Sequence, residues 1–279
     1  MKPFAPWILA AALSGLAGAV HAQLRLLPAV GPAQVFGGGL RPIPLVWHND
    51  AAQPFTGDIQ ARLLQTSSAT VAPVSETPWK KLTVLPQQTV LESASFDFPV
   101  VRVETMFLIQ WLEYTNRILG QTEVLVYPTN LLADLKPLAG NEPLGIFDPG
   151  NVLKPLLKSA QVDFADLEES SIADFRGRLA IIGPFATRQQ QPGWLTERIK
   201  KLASKNVGIV WLLPPPAPYD RLQSSFYPVP SGTNAVIVVS AGLVAGLADQ
   251  PSAQLRLLQL GRLALNPEPV ALPVFTVQP

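Results

Sequence analysis

Apolar and polar positions follow two different rhythms along this chain. From about Gln23 to Asn130, short runs with period two are separated by turn residues. They are "PIPLVWHN" (42–49), "GDIQARLLQTS" (57–67), "WKKLTVLP" (79–86), "SASFDFPV" (93–100), "TMFLIQWLEY" (105–114) and "TEVLVYP" (122–128). In the fifth run Phe107, Ile109 and Trp111 share one face, and Leu108, Gln110 and Leu112 the other, because successive side chains alternate across a strand. Turn signals recur about every dozen residues, a spacing that predicts two facing sheets, a β-sandwich. Trp47 and Trp111 are then read as core residues of those sheets rather than as a ligand platform.

After Asn130 the rhythm changes to strands alternating with helices. "PLGIFDPG" (143–150), "RLAIIGPF" (178–185), "VGIVWLLPPP" (207–216) and "NAVIVVS" (234–240) read as strands. "NVLKPLLKSA" (151–160), "GWLTERIKKLASK" (193–205) and a segment around Ser252–Leu265 read as helices. This alternation predicts βαβ units and a parallel sheet. Continuous apolar runs such as "LAII" and "AVIVV" fit strands covered on both faces. "QVDF" alternates instead, as an edge strand does, and in a flavodoxin-like 2-1-3-4-5 order the second strand is at the edge. In the helix 193–205, Leu195, Ile199 and Leu202 form the apolar face, while Glu197, Lys200, Lys201 and Lys205 face water. The last helix is apolar nearly all round, with Arg256, Gln259 and Arg262 as one thin polar stripe; it is either sandwiched between domains or part of a subunit interface, and burial inside the chain is the more ordinary outcome for such a helix.

The N-terminal stretch "MKPFAPWILAAALSGLAGAVHAQ" has a basic start, a short apolar run and a Val20-His21-Ala22 cleavage pattern. That is the layout of a secretory signal peptide, and its apolar run is shorter than the roughly 20 residues that span a bilayer. The expected partition is therefore a signal peptide at 1–22, a β-sandwich domain at 23–130 and an α/β domain at 131–279 with a proline-rich tail. The product is expected to be exported, periplasmic or extracellular, with no membrane span after cleavage. Lys and Arg total 21 against 20 Asp and Glu, and loss of Lys2 brings the two into balance. Nucleic-acid binders carry a basic excess, so nucleic acid is not an expected partner. There is no cysteine, so the fold rests on its cores rather than on disulfides.

The segments "GIFDPGNVLKPLLKSAQVDFADLEE", "DFRGRLAIIGPF" and "WLTERIKKLASKNVGIVWL", spanning roughly Leu144–Leu213, resemble class I glutamine amidotransferase-like domains. The likeness is greatest to the non-catalytic versions attached to secreted carbohydrate-active and cell-surface proteins. The N-terminal segment resembles the immunoglobulin-like accessory domains of bacterial exported proteins. In active amidotransferases the strand matching "VGIVWLL" ends in a glycine-flanked elbow bearing a cysteine, with a histidine later in the chain. Here the elbow region is Leu213-Pro214-Pro215-Pro216, and no histidine follows His48. Prolines lack the N–H that an oxyanion needs and cannot take a positive φ. The resemblance thus implies a catalytically degenerate domain without that nucleophile.

Other candidate residues remain. In "FDPGN", Asp148 ends the first predicted strand, and Gly150-Asn151 precede a helix whose N-terminus favours anions. Asp148, Asn151 and Arg188, after "GPFAT", are the candidate ligand-binding residues; Asp-Pro-Gly-Asn is equally a good turn, with Asn151 as N-cap. Ser240 ends the strand "AVIVV" and is the alternative nucleophile, although it lacks G-x-S-x-G and needs His48 from the other domain. Asp163, Asp166, Glu168 and Glu169 form an acidic loop without EF-hand spacing, so no metal or other cofactor is expected. Two carboxylates from that loop or Asp148 are the groups a glycan hydrolase would use. The sequence reading is thus an exported non-catalytic binding or assembly protein with a protein or glycan partner; the alternative is a secreted glycan or ester hydrolase.

Overall fold

The computed structural model describes residues 24–67, 70–113, 117–168, 174–214, 225–228 and 234–267. The signal-like segment, Glu169, Pro215 and Pro216, and the tail after 267 lie outside the described residues.

The first half forms two sheets. One has three strands in the order β1 (Leu24–Leu26), β3 (Gly39–Asn49), β6 (Thr89–Phe98). The other has five, in the order β2 (Ala33–Phe36), β8 (Ile118–Tyr127), β7 (Thr105–Glu113), β4 (Phe55–Thr66), β5 (Val71–Val84). All neighbours are antiparallel except β2, which runs parallel to β8. Both sheets feed one core: Ile43, Leu45 and Trp47 from β3 meet Phe107, Ile109 and Trp111 from β7. Trp47 and Trp111 are fully buried and meet edge-on at 5.8 Å, which is the core role their alternation predicts. Trp79 of β5 completes the group, 5.1 Å from Trp111. Asn49 closes this end of the core with both of its own side-chain polar atoms bonded. Its amide donates to the carbonyls of Gln53 and Val84, and its oxygen accepts from Ala51.

The second half holds a six-stranded sheet. Its order is β10 (Phe164–Asp166), β9 (Leu144–Phe147), β11 (Leu179–Ile182), β12 (Gly208–Leu213), β14 (Ala235–Ser240), β13 (Ser225–Pro228). The first five are parallel and β13 is antiparallel. The second parallel strand lies at the edge, as the alternation of "QVDF" predicts, but it begins at Phe164 rather than Gln161. Side chains alternate between two cores. Ile146, Ile181, Val210 and Ile237 face one side, and Ala180, Ile182, Ile209 and Val236 the other. Helices α1 (Leu135–Leu138), α2 (Leu153–Ser159) and α4 (Pro251–Leu265) cover the first side, and α3 (Leu195–Ser204) the second. β13 lies in the connection between β12 and β14; its four residues extend the sheet by pairing with the apolar β14.

α4 is buried through Ala253, Gln254, Leu257, Leu258 and Gly261, while Arg256, Gln259 and Arg262 remain exposed as the thin stripe predicts. It lies against β11, β12 and β14 and also against β2 of the first half, so it is sandwiched as expected. At the junction, the Asn130 side chain caps the turn 131–134 by accepting from Leu132 N–H and donates to Leu156 O and Ser159 Oγ of α2. Among the described residues no helix is long and apolar enough to cross a membrane.

The contact between α4 and β12 is close enough to test. A Cβ on Gly208 would stand 2.9 Å from Ala264 O, a backbone atom that cannot swing aside. Gly208→Ala is expected to cost about 1–3 kcal/mol through overpacking, read as a lower urea midpoint with unchanged m-value. An unchanged midpoint would contradict this packing.

Candidate functional site

At the carboxyl ends of the parallel strands, three loops converge on a recess of about 290 Å³. Its walls are Gly150 and Val152 after β9, Pro184, Phe185, Ala186 and Gln190 after β11, and most of the turn 241–247 after β14. Hollows of about 400 Å³ lie elsewhere, one beside Pro143 and Phe175 at the opposite end of the sheet and one beside Leu27 and Pro44 on the sandwich. Neither is at the strand carboxyl ends, where open α/β sheets take their ligands.

Asp148 follows β9 directly and is 1% exposed. Its Oδ2 accepts the main-chain N–H groups of Leu153 at 2.7 Å and Lys154 at 3.0 Å. These are first-turn amides of α2 that have no partner within the helix. The expectation that Asn151 caps this helix is therefore corrected. Asn151 is exposed, sits in a turn at φ +50 and donates its N–H to Asp148 O, while the cap comes from Asp148. The other carboxyl oxygen, Oδ1, is buried and has no hydrogen-bond partner, an arrangement that costs about 1–3 kcal/mol.

A polar network stands beside this cap. Lys154 Nζ lies 2.6 Å from both Asp166 and Glu168, with 14% of its side chain exposed. Glu168 also accepts the N–H of Asp148. Burial pulls the Lys154 ammonium down, but its hydrogen bonds and the charges of Asp166 and Glu168 outweigh this and hold it above its ordinary value of 10.5. Asp163 faces Lys136 at 3.5 Å. Asp163, Asp166 and Glu168 are thus engaged in ion pairs, and among the described residues no group of acidic or histidine side chains forms a metal-ligating cluster.

The remaining candidates are placed apart. Arg188 is exposed in a short turn after β11 and does not line the recess. Ser240 is 7% exposed, and its hydroxyl accepts the N–H of Gly242 at 3.2 Å, capping the turn that forms one wall. His48 is held within the first half, Nδ1 against Thr89 at 2.8 Å and Nε2 against Asp50 at 3.2 Å. The geometry therefore brings Asp148 and the Ser240 turn to one edge, and leaves His48 out of hydrogen-bond contact with Ser240.

Two contributors escape the sequence reading. Lys154 carries no signal in its local pattern that marks its pairing with Asp166 and Glu168. Gln254 is 1% exposed; its oxygen accepts from Leu131 N–H at the junction and its amide donates to Leu247 O in the recess wall. The signal for Gln254 was present, since it is a polar residue off the stripe of Arg256, Gln259 and Arg262.

No protein-family model matches the chain, and no curated protein does. Solved structures resemble parts of it. The alkylpurine DNA glycosylase AlkC of Pseudomonas fluorescens, bound to DNA containing an abasic-site analogue, shares 12% identity over 38% of this chain and 30% of its own, with a TM-score of 0.31. A β-glucosidase from Listeria innocua shares 13% over 38% of this chain and 16% of its own, at 0.28. A Niemann-Pick type C2 protein from the Japanese carpenter ant shares 5% over 34% of this chain and 78% of its own, also at 0.28. The chain thus spans under a third of the glycosylase and about a sixth of the glucosidase.

The raised Lys154 gives a pH signature. Stability from this network is fully present below pH 10.5, the unfolded value, and is lost as pH rises through the higher folded value. Lys154→Met is expected to lower the urea midpoint at neutral pH, with the gap to wild type shrinking above about pH 10.5. A gap that stays constant into strong alkali would contradict the pairing.

Proposed function

We propose that this chain is an exported, non-catalytic binding protein, in which an immunoglobulin-like sandwich carries a flavodoxin-like α/β domain, a degenerate relative of class I glutamine amidotransferase-like domains. Supporting the first assignment, the leading strand is divided between the two sheets as β1 and β2, and the larger sheet runs β8-β7-β4-β5 beside it. Two largely antiparallel sheets over one shared core accord with an immunoglobulin-like sandwich. Supporting the second is the order of the parallel strands, second-first-third-fourth-fifth. Export rests on the leader-like N-terminus, and a cell-surface or carbohydrate-related setting on the family resemblance.

The observation that carries binding over catalysis is the state of the polar groups around the carboxyl-edge recess. Ser240 is engaged with Gly242, Asp148 Oδ2 with two amides, and Asp166 and Glu168 with Lys154. A nucleophile needs a base within hydrogen-bond reach, and a glycosidase needs two carboxyl groups facing each other across the scissile bond. The walls offer shape and apolar surface instead, at the small end of ligand pockets.

The test is a fragment screen by amide NMR on the mature chain isolated from an exporting host, whose N-terminus is expected at Gln23. Shifts are expected to gather at Gly150, Gly242 and Leu247, and nitrophenyl esters and glycosides are expected to hydrolyse no faster than in buffer. Saturable hydrolysis abolished by Ser240→Ala would contradict the non-catalytic reading. A screen that leaves the recess amides unmoved would contradict binding there.

A further inference from the structure

We infer that two copies of this chain associate through their sandwich halves, the edge strand β6 of one pairing antiparallel with β6 of the other. This surface is separate from the recess and lies in the other half of the chain. Among the described residues the three sheets end in six outer strands, and five of them are blunted. β1, β2, β10 and β13 are only three or four residues long. β5 has fourteen residues but carries Pro73, Pro78, Lys80 and Lys81, and proline and lysine are common means of keeping an edge from pairing. β6, "TVLESASFDF", has ten residues with neither proline nor lysine. The charge of Glu92, on its core-facing side, is answered by Lys80.

The unused bonding groups of β6 can be assigned. The N–H and C=O of one strand residue point to the same side, and that side alternates along the strand. Gln88 O and Phe98 O both accept from the β3 side, from the N–H groups of Asn49 and Gly38. The even-numbered residues therefore bond to β3, and Thr89, Leu91, Ser93, Ser95 and Asp97 turn their main-chain groups outward. Their side chains lie on the solvent face of the sheet with Pro42, Pro44 and Val46, where Leu91 is 81% exposed. A two-fold axis at Ser93 sets that residue opposite itself, Leu91 opposite Ser95 of the second copy, and Thr89 opposite its Asp97. Each Leu91 then reaches toward Pro42 of the other copy, the β3 neighbour of Ser95. Each Asp97 meets the Thr89 hydroxyl, which His48 Nδ1 holds at 2.8 Å in one row with Arg25. No acid faces an acid, so the surface is complementary to itself, as a two-fold contact requires. The outward residues exchange about ten main-chain hydrogen bonds across the axis, the usual number for a specific interface.

The experiment is analytical ultracentrifugation of the mature chain from micromolar to millimolar concentration, with amide hydrogen exchange followed by NMR at both ends of that range. A monomer–dimer equilibrium is expected, with exchange at Leu91, Ser93 and Ser95 slowing as concentration rises. Ser93→Lys places two ammonium groups opposite each other and is expected to weaken the dimer about five-fold or more. An equal mixture of Ser93→Lys and Ser93→Glu chains places opposite charges there and is expected to recover at least the wild-type affinity. Ser93 is exposed and lies on the solvent face, so the fold is expected to survive both changes, as circular dichroism will show. Leu91→Ser, at an equally open position, is expected to weaken the dimer too and carries the test should either charged variant fail to fold. A chain that stays monomeric, a dimer indifferent to the folded variants, or a mixture no tighter than Ser93→Lys alone overturns the inference. Edge amides protected at every concentration in a monomeric chain overturn it as well, because the edge is then already covered. None of these outcomes bears on fragment binding at the recess.

Discussion

The first amides of α2 need an acceptor, and Asp148 supplies it with one oxygen for two of them. Much of the second half's local order depends on that bond. It fixes the turn from 148 to 152, so that Gly150 and Val152 face the recess. It starts α2 at Leu153, which sends Leu153 and Leu157 into the core beneath. The far end of the same helix then presents Leu156 O and Ser159 to Asn130 at the junction. A side-chain cap contributes about 1 kcal/mol, and this one leaves the second carboxyl oxygen buried without a hydrogen-bond partner.

The last helix is tied to the start of the second half by buried polar contacts as well as by apolar packing. Gln254 sits on α4 between Leu131 of the junction and Leu247 of the recess wall. Each of its polar ends is satisfied, which matters because a half-satisfied buried amide would cost more than an apolar residue in its place. α4 itself lies between the parallel sheet and β2, and Gly208 allows it to approach β12 at backbone distance. The recess wall, the last helix and the linker to the sandwich are in this way parts of one bonded arrangement.

The elements that bury their side chains were legible in the sequence. Continuous runs gave the central strands β11, β12 and β14, and alternation marked Trp47 and Trp111 as core residues; that they meet edge-on is seen only in the structure. The unread elements lack such a pattern for physical reasons. β1 and β2 are three and four residues long, too short to show a period. The first half of β5 is exposed on both faces, including Val71 and Val74, so no burial alternation marks it. β13 is held by pairing with β14 rather than by a pattern of its own. At the site, the importance of Asp148 was legible from its place at a strand end, but its role was not. Asn151 is a good cap by composition, and only the start of α2 at Leu153 shows that Asp148 reaches forward to cap it. Arg188 had the right position in the chain and remains a surface residue.

The most direct test of this account is a high-resolution crystal structure of the protein. The account predicts Asp148 Oδ2 at about 2.7–3.2 Å from the amides of both Leu153 and Lys154, with Asn151 exposed in the preceding turn. A structure in which Asn151 caps α2, with Asp148 turned away from those amides, would contradict it.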